Sequence, residues 1–253
     1  MHRAGASSAA IDEVTRAIER DFEPGITTRR LYKQAFKLLK QRSRPTAARY
    51  GLSRAVRSLG PDGYPFENLV AALLAEEGYR SEVGASLPGL HVQHEIDVVA
   101  VRPEKTLFVE CKHRLRSGAK CDVKIALYVH ARALDLGAAL AASRDGSRPF
   151  DEFWLITSGE FTSDAIRYAS GVDLHLLGWT FPREGGLADR IERAGLHPLT
   201  CLTTLDASQK RELLRRHFVL CRELLEKPEA LDSVGVHRRS RVLKEIRGLL
   251  EGR

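Results

Sequence analysis

The sequence predicts an α/β fold, with a mixed central sheet flanked by helices and helical domains at both ends. Three observations predict it. Between about residues 64 and 179 the apolar periodicity alternates between helix and strand in the order α-β-β-β-α-β-α-β. Hydrophobic residues make up 43% of the 253 residues and charged ones 29%, a globular profile of one to two domains. Charge is also segregated: residues 1–60 carry 13 Lys and Arg against 5 Asp and Glu, and the last 53 residues are basic again around an acidic centre.

Residues 10–22 place Ile11, Val14, Ile18 and Phe22 at helical spacing, and Glu23-Pro24-Gly25 stops that helix. Thr27 or Thr28 caps a second helix with an apolar stripe of Leu31, Ala35, Leu38 and Leu39. A third helix follows Arg44-Pro45-Thr46 and runs to about Leu59. The break Leu59-Gly60-Pro61-Asp62-Gly63 ends a basic helical domain over residues 1–60.

The α/β domain is expected over 61–182. Its first helix covers 64–79, opens on Pro65, buries Phe66, Leu69, Val70, Leu73 and Leu74, and stops at Gly78. Strands follow near 81–86, 92–101 and 105–112, with Pro103-Glu104-Lys105 as the turn between the last two. A long helix is expected at about 120–141, with Val123, Leu127, Ala131 and Leu134 as its core line. A strand at 153–159, a helix starting at Phe161-Thr162-Ser163-Asp164 and a strand at 172–179 complete the domain. Residues 183–253 read as a helical C-terminal domain. There Leu214, Phe218, Cys221 and Leu225 mark one helix, and Val242, Leu243, Ile246, Leu249 and Leu250 mark the last.

Composition narrows the function. No unbroken apolar run of about 18 residues exists, so no membrane span is expected, and the N-terminus lacks the apolar stretch of a signal peptide. The cysteines Cys111, Cys121, Cys201 and Cys221 form no CxxC pair, which argues against a zinc site or disulfide framework and for a reducing, cytoplasmic setting. Ten basic residues and no acidic one lie between Arg29 and Arg57. Solvated helix faces would explain such a run, and a polyanionic partner such as nucleic acid would explain both basic flanks.

The chemistry concentrates in EIDVVAVRPEKTLFVECKHR, residues 95–114. As a hairpin, its alternation puts Glu95, Asp97 and Val99 on one face, and Phe108, Glu110 and Lys112 on one face of the second strand. Asp97 and Glu110 then meet across the ladder. Two adjacent carboxylates repel, and a divalent cation such as Mg²⁺ removes that cost while keeping places for water and phosphate oxygens. A lysine beside the metal holds the attacking water or neutralises phosphate charge. The plain alternative is a carboxylate–lysine pair on a solvated face.

Four features together resemble the Mrr-like branch of the PD-(D/E)xK nuclease superfamily over about residues 64–180. They are Phe66-Glu67 with its helix ending in Gly78-Tyr79, Glu95-Ile96-Asp97, Glu110-Cys111-Lys112, and ITSGEFTSDAIRYA at 156–169. The resemblance implies a restriction-endonuclease-like core and a Mg²⁺- or Mn²⁺-dependent DNA endonuclease. It implies Asp97 and Glu110 as metal ligands, Lys112 at the attacking water, and Glu67 as an outer metal or water ligand. The alternatives are a DNA-binding protein that keeps the fold without cutting and an ATP-regulated nuclease. The sequence leaves the oligomeric state open; one such site per chain needs two copies to cut both strands at once, which makes a homodimer a possible partner.

His94, His113 and His130 show no metal spacing and read as structural or phosphate contacts, while Lys120, Lys124 and Arg132 share a broad helix face within reach of DNA. Residues 27–56, with Ala47-Ala48-Arg49-Tyr50 and Arg54, resemble the later helices of an ATP-cone whose nucleotide-contacting hairpin has no counterpart here. ATP binding and a basic DNA-binding or dimerising unit are the two readings of that segment. The basic cluster at 237–241 beside Gly235 weakly resembles a helix-hairpin-helix, with a helical cap on the nuclease core as the alternative.

Overall fold

The computed structural model describes residues 1–142, 150–235 and 239–251. The chain divides into two compact units, Leu59–Ala194 and a second formed by Met1–Ser58 together with Gly195–Arg253. The N- and C-terminal helical segments, which read as separate in the sequence, therefore share one unit.

In that unit, α1 (Ser8–Arg20), α2 (Thr28–Arg42), α3 (Arg44–Tyr50) and α4 (Leu52–Arg57) come first. The Ser7 and Thr27 hydroxyls cap α1 and α2 by accepting from Ala10 N and Arg30 N, both at 3.3 Å. Val14, Ala35, Leu39 and Ala47 form a shared apolar centre. The third helix expected up to Leu59 is broken at Gly51 into α3 and α4. A Cβ at Gly51 would lie 3.2 Å from the Phe36 ring, so glycine there admits the close approach of α2.

The larger unit holds α5 (Tyr64–Glu76), β1 (Arg80–Pro88), β2 (Gln93–Arg102), β3 (Lys105–Lys112), β4 (Lys120–Cys121) and α6 (Val123–Ala142). β5 (Glu152–Thr157), β6 (Glu160–Phe161), α7 (Ser163–Gly171), β7 (Leu174–Leu177) and α8 (Leu187–Ala194) follow. The main sheet runs β1-β2-β3-β5-β7. Its first two pairings are antiparallel and its last two parallel, so the sheet is mixed as expected. Helices α5 and α6 flank it.

α6 corrects its sequence reading. Ala126, Val129, Arg132 and Leu136 face inward, whereas Leu127 and Leu134 of the expected core line are 46% and 61% exposed. By length and composition alone α6 is long and apolar enough to cross a membrane, yet its inner face packs in the core cluster with Phe108, Phe153 and Leu155.

The first unit resumes with α9 (Ala207–Arg215), α10 (Glu223–Glu226) and α11 (Arg239–Glu251). The single helix expected through Leu214–Leu225 is interrupted. His217 takes a left-handed φ of 63°, and Leu220 bridges to Pro198. The Glu223 carboxylate then accepts from Val219 N and Leu220 N at 2.7 and 2.9 Å, which starts α10 afresh. Of the basic cluster at 237–241, His237 and Arg238 lie outside the described residues.

Candidate active site

The β2–β3 hairpin turns through Pro103-Glu104, which pairs Arg102 with Lys105 and Val98 with Val109. The next rung of that register sets Asp97 against Glu110. Gly84 of β1, flanked by the pairs Val83↔Val98 and Ala85↔Ile96, faces Asp97 from the other side with φ 74°, a conformation costly for any other residue. Asp97 Oδ2 accepts from the Cys111 backbone N at 2.6 Å, which fixes the aspartate across the hairpin.

Glu110 is 3% exposed and meets two cations. Lys112 Nζ donates to its Oε1 at 2.5 Å, and Arg132 Nη1 donates to its Oε2. Arg132 Nη2 also donates to the Glu95 carbonyl, and the guanidinium lies 5.4 Å from the Tyr128 ring centre. Arg132, expected on a DNA-facing surface, is instead buried and ties α6 to both hairpin strands. Lys120 lies on β4 and not on that helix, and only Lys124 of the three is an exposed α6 residue.

Glu67 sits in the first turn of α5, and its carboxylate fills the space beside Gly63, where a Cβ would lie 2.5 Å from Oε1. Burial pushes its carboxyl up to about 7, and the neighbouring Asp97, Glu95 and Glu110 push the same way. Burial, then Glu110, pushes Asp97 up to about 6. Burial alone would lower Lys112, but its bond to Glu110 and the nearby Asp97 hold it above the ordinary lysine value. The structure thus brings Asp97, Glu110, Lys112 and Glu67 into one electrostatic neighbourhood.

The ITSGEFTSDA segment has a physical role here. Thr157 Oγ1 donates to the Lys112 carbonyl at 2.7 Å and accepts from Gly159 N at 3.1 Å, while Ser158 Oγ accepts from Arg114 N at 2.7 Å. These bonds anchor the end of β3 that carries Lys112. Thr162 caps α7 through Ala165 N at 3.2 Å. The histidines engage protein groups: His94 pairs with Asp135 at 2.8 Å, His130 bonds Tyr168 Oη at 2.7 Å, and His113 stacks on Phe66 at 5.3 Å.

Sequence reasoning missed Arg132 as a partner of Glu110. The signal was a charged residue in phase with Ala126, Val129 and Leu136, the face with the smaller side chains. Among the described residues no three His, Cys, Asp or Glu side chains form a ready-made metal cluster, and both Glu110 oxygens are taken by cations. The residues nonetheless fit a divalent cation. Burial first, and then the neighbouring carboxylates, raise Asp97 and Glu67, a cost that a cation offsets, and Asp97 keeps one oxygen without a hydrogen-bond partner among the described residues.

A mixed sheet flanked by helices, with this hairpin at its centre, defines a restriction-endonuclease-like fold. A family model described as a restriction endonuclease matches residues 60–178, and one described as AF1548-like, C-terminal, matches residues 197–250. An uncharacterized protein of Archaeoglobus fulgidus is 33% identical over 161 residues, covering 63% of this chain and 86% of that protein. The crystal structure of a protein of unknown function, AF1548, aligns with a TM-score of 0.61 and 30% identity over 76% of this chain and 100% of that one. The chain belongs to the AF1548-like family and carries a restriction-endonuclease-like domain.

Proposed function

We propose that this protein is a divalent-metal-dependent DNA endonuclease. The observation that carries the reading is the crowding of Asp97, Glu67 and Glu110, with two carboxyls pushed to about 6 and about 7, beside the charged Lys112. Asp97 and Glu110 would hold Mg²⁺ or Mn²⁺, with Glu67 as an outer metal or water ligand. The bound cation supplies Lewis-acid stabilisation of the phosphate and lowers the pKa of a bound water. Lys112 orients that water and offsets negative charge at the phosphate. Arg132 holds the Glu110 carboxylate in place. In this mechanism water is the nucleophile, so no covalent intermediate forms.

DNA is the substrate class that the charge pattern supports. Arg29, Lys33 and Lys37 recur every fourth residue along α2, and all are exposed, as is Arg30. Such a stripe suits backbone phosphates, and its affinity should fall with salt at a log–log slope of about −0.9 per phosphate.

The test is cleavage of duplex, branched and single-stranded DNA with Mg²⁺ or with EDTA. Cleavage should require the metal. Lys112→Ala should lower the rate about 10²- to 10³-fold, as loss of one preorganised charge-stabilising donor does, and Asp97→Asn should do at least as much. Cutting that persists in EDTA, or in either variant, would refute the mechanism.

A further inference from the structure

The helical unit crowds cations where the hairpin crowds carboxylates. Arg54 and Arg57 lie three residues apart on α4 and so share a side of that helix. Thr200 Oγ1 donates to the carbonyl of Ala55, a residue between them, at 2.7 Å, which fastens the single turn Leu199–Cys201 to α4. Lys210 Nζ, from α9, donates to the carbonyl of the same Thr200 at 2.9 Å. Lys210 is thereby held beside the two arginines. Tyr32 of α2 borders the cluster, since Arg54 and Arg57 both act on its hydroxyl. Its ring stacks on Tyr50 at 5.0 Å, and its Oη donates to the Tyr50 carbonyl at 3.5 Å.

Among the described residues none of the three cations has a carboxylate partner. The Arg57 guanidinium donates to Ser53 Oγ and the Lys210 ammonium to the Thr200 carbonyl, while Arg54 is joined only through its backbone carbonyl, which accepts from Ser58 Oγ at 2.9 Å. Glu245 is the carboxylate that acts on Lys210, and both its oxygens already accept backbone hydrogens, from Thr203 N and Thr204 N at 2.8 and 2.9 Å. Arg57 and Lys210 are half-buried. Burial lowers Lys210 below the ordinary lysine value; Cys201, Glu245 and Cys221 oppose that, and Arg54 adds to it. Burial likewise lowers Arg57, against Tyr32 and with Arg54. Like charges crowded together and taken partly out of water cost free energy, and an anion among them removes that cost. Fully exposed cations, such as those along α2, carry little of it because water screens them.

We propose that Arg54, Arg57 and Lys210 bind a phosphomonoester dianion. Three cations against the Glu245 carboxylate leave an excess of positive charge. A phosphomonoester carries about two negative charges at neutral pH and so balances it, whereas a phosphodiester of a nucleic-acid backbone carries one. Guanidinium groups bind phosphate oxygens in pairs, and the ammonium adds a third charge. A free nucleotide presents such a group, and so does a phosphorylated nucleic-acid end, which hydrolysis of a phosphodiester creates. That second source rests on the proposed nuclease reading; the site itself stands without it.

The test is isothermal titration calorimetry on the full chain, in phosphate-free buffer with EDTA so that no metal holds phosphate near Asp97. Inorganic phosphate should bind with one site per chain, and a nucleoside monophosphate should compete for it. Arg54→Ala removes an exposed side chain. It should weaken phosphate binding about 10- to 100-fold with unchanged circular dichroism, and Lys210→Met should do the same. Displacement of phosphate by a duplex with terminal phosphates, but not by the dephosphorylated duplex, would assign the ligand to a nucleic-acid end. Displacement by the monophosphate and by neither duplex would assign it to a free nucleotide. Absence of saturable phosphate binding would overturn the proposal. So would binding undiminished in both variants, or equal displacement by the dephosphorylated duplex, because a diester would then suffice. No arm measures cleavage, so the site and the nuclease reading fail separately.

Discussion

Helices α5 and α6 flank the same sheet and look alike as sequence, yet they relate to it differently. α5 buries Phe66, Leu69, Val70, Leu73 and Leu74, its largest apolar residues. α6 buries Ala126, Val129, Arg132 and Leu136 and turns two leucines outward. The difference lies in what each must reach. α5 contributes apolar volume and a single carboxylate at its first turn, where the positive end of the helix dipole favours it. α6 must deliver a guanidinium to Glu110 in β3 and to the Glu95 carbonyl in β2. An apolar periodicity names a stripe; it does not say whether the protein's own core or another surface covers it.

Substitution on the two helices sharpens that contrast. Phe66→Ala in α5 empties a fully buried site and should cost roughly 3–5 kcal/mol of unfolding free energy. Leu127→Ala in α6, measured at high dilution, should stay within about 0.5 kcal/mol. Equal losses in chemical denaturation would mean that the outer face of α6 is core after all.

Arg132 should behave like a core residue although it is charged. Removing it leaves Glu110, 3% exposed, with one cation in place of two. Breaking a buried pair from one side costs about 3–5 kcal/mol, while replacing both partners by apolar groups of similar volume is far milder. Arg132→Ala should thus lose most of that amount, and Glu110→Leu/Arg132→Met should recover much of the stability with no activity. A double variant as unstable as Arg132→Ala would show that the loss comes from packing and not from the stranded carboxylate.

These helices also mark what the sequence makes legible. Strands expected at 92–101 and 105–112 appear at Gln93–Arg102 and Lys105–Lys112, because alternation and the Pro103-Glu104 turn are local signals. The facing of Asp97 and Glu110 follows from the same turn, which sets the register. The phase of α6 does not follow, because the partner of Arg132 lies on a strand far back in the chain. The break after α9 is likewise non-local, fixed by the bridge from Leu220 to Pro198. Locally encoded elements were readable, and those decided by a distant partner were not.

The smallest expected effect concerns the charge that α5 and β2 share. In the folded chain Asp97 titrates at about 6 and Glu67 at about 7, above their ordinary 3.8 and 4.5. A carboxyl with a raised folded pKa binds its proton more tightly when folded. Its contribution to stability is therefore complete below about pH 4 and is lost as the pH rises through 6 to 7. Each such group adds at most about 1.4 kcal/mol per pH unit to the slope. Metal-free protein, kept in chelator, should lose stability from about pH 4 to 7 in denaturation experiments. Asp97→Asn should flatten the lower part of that decline, and Glu67→Gln the upper part. Mg²⁺ added at neutral pH should restore what deprotonation removed, because the cation replaces the lost protons as the counter-charge. A flat wild-type profile would mean that Lys112 and Arg132 already balance the carboxylates, and α5 would then be a structural helix only.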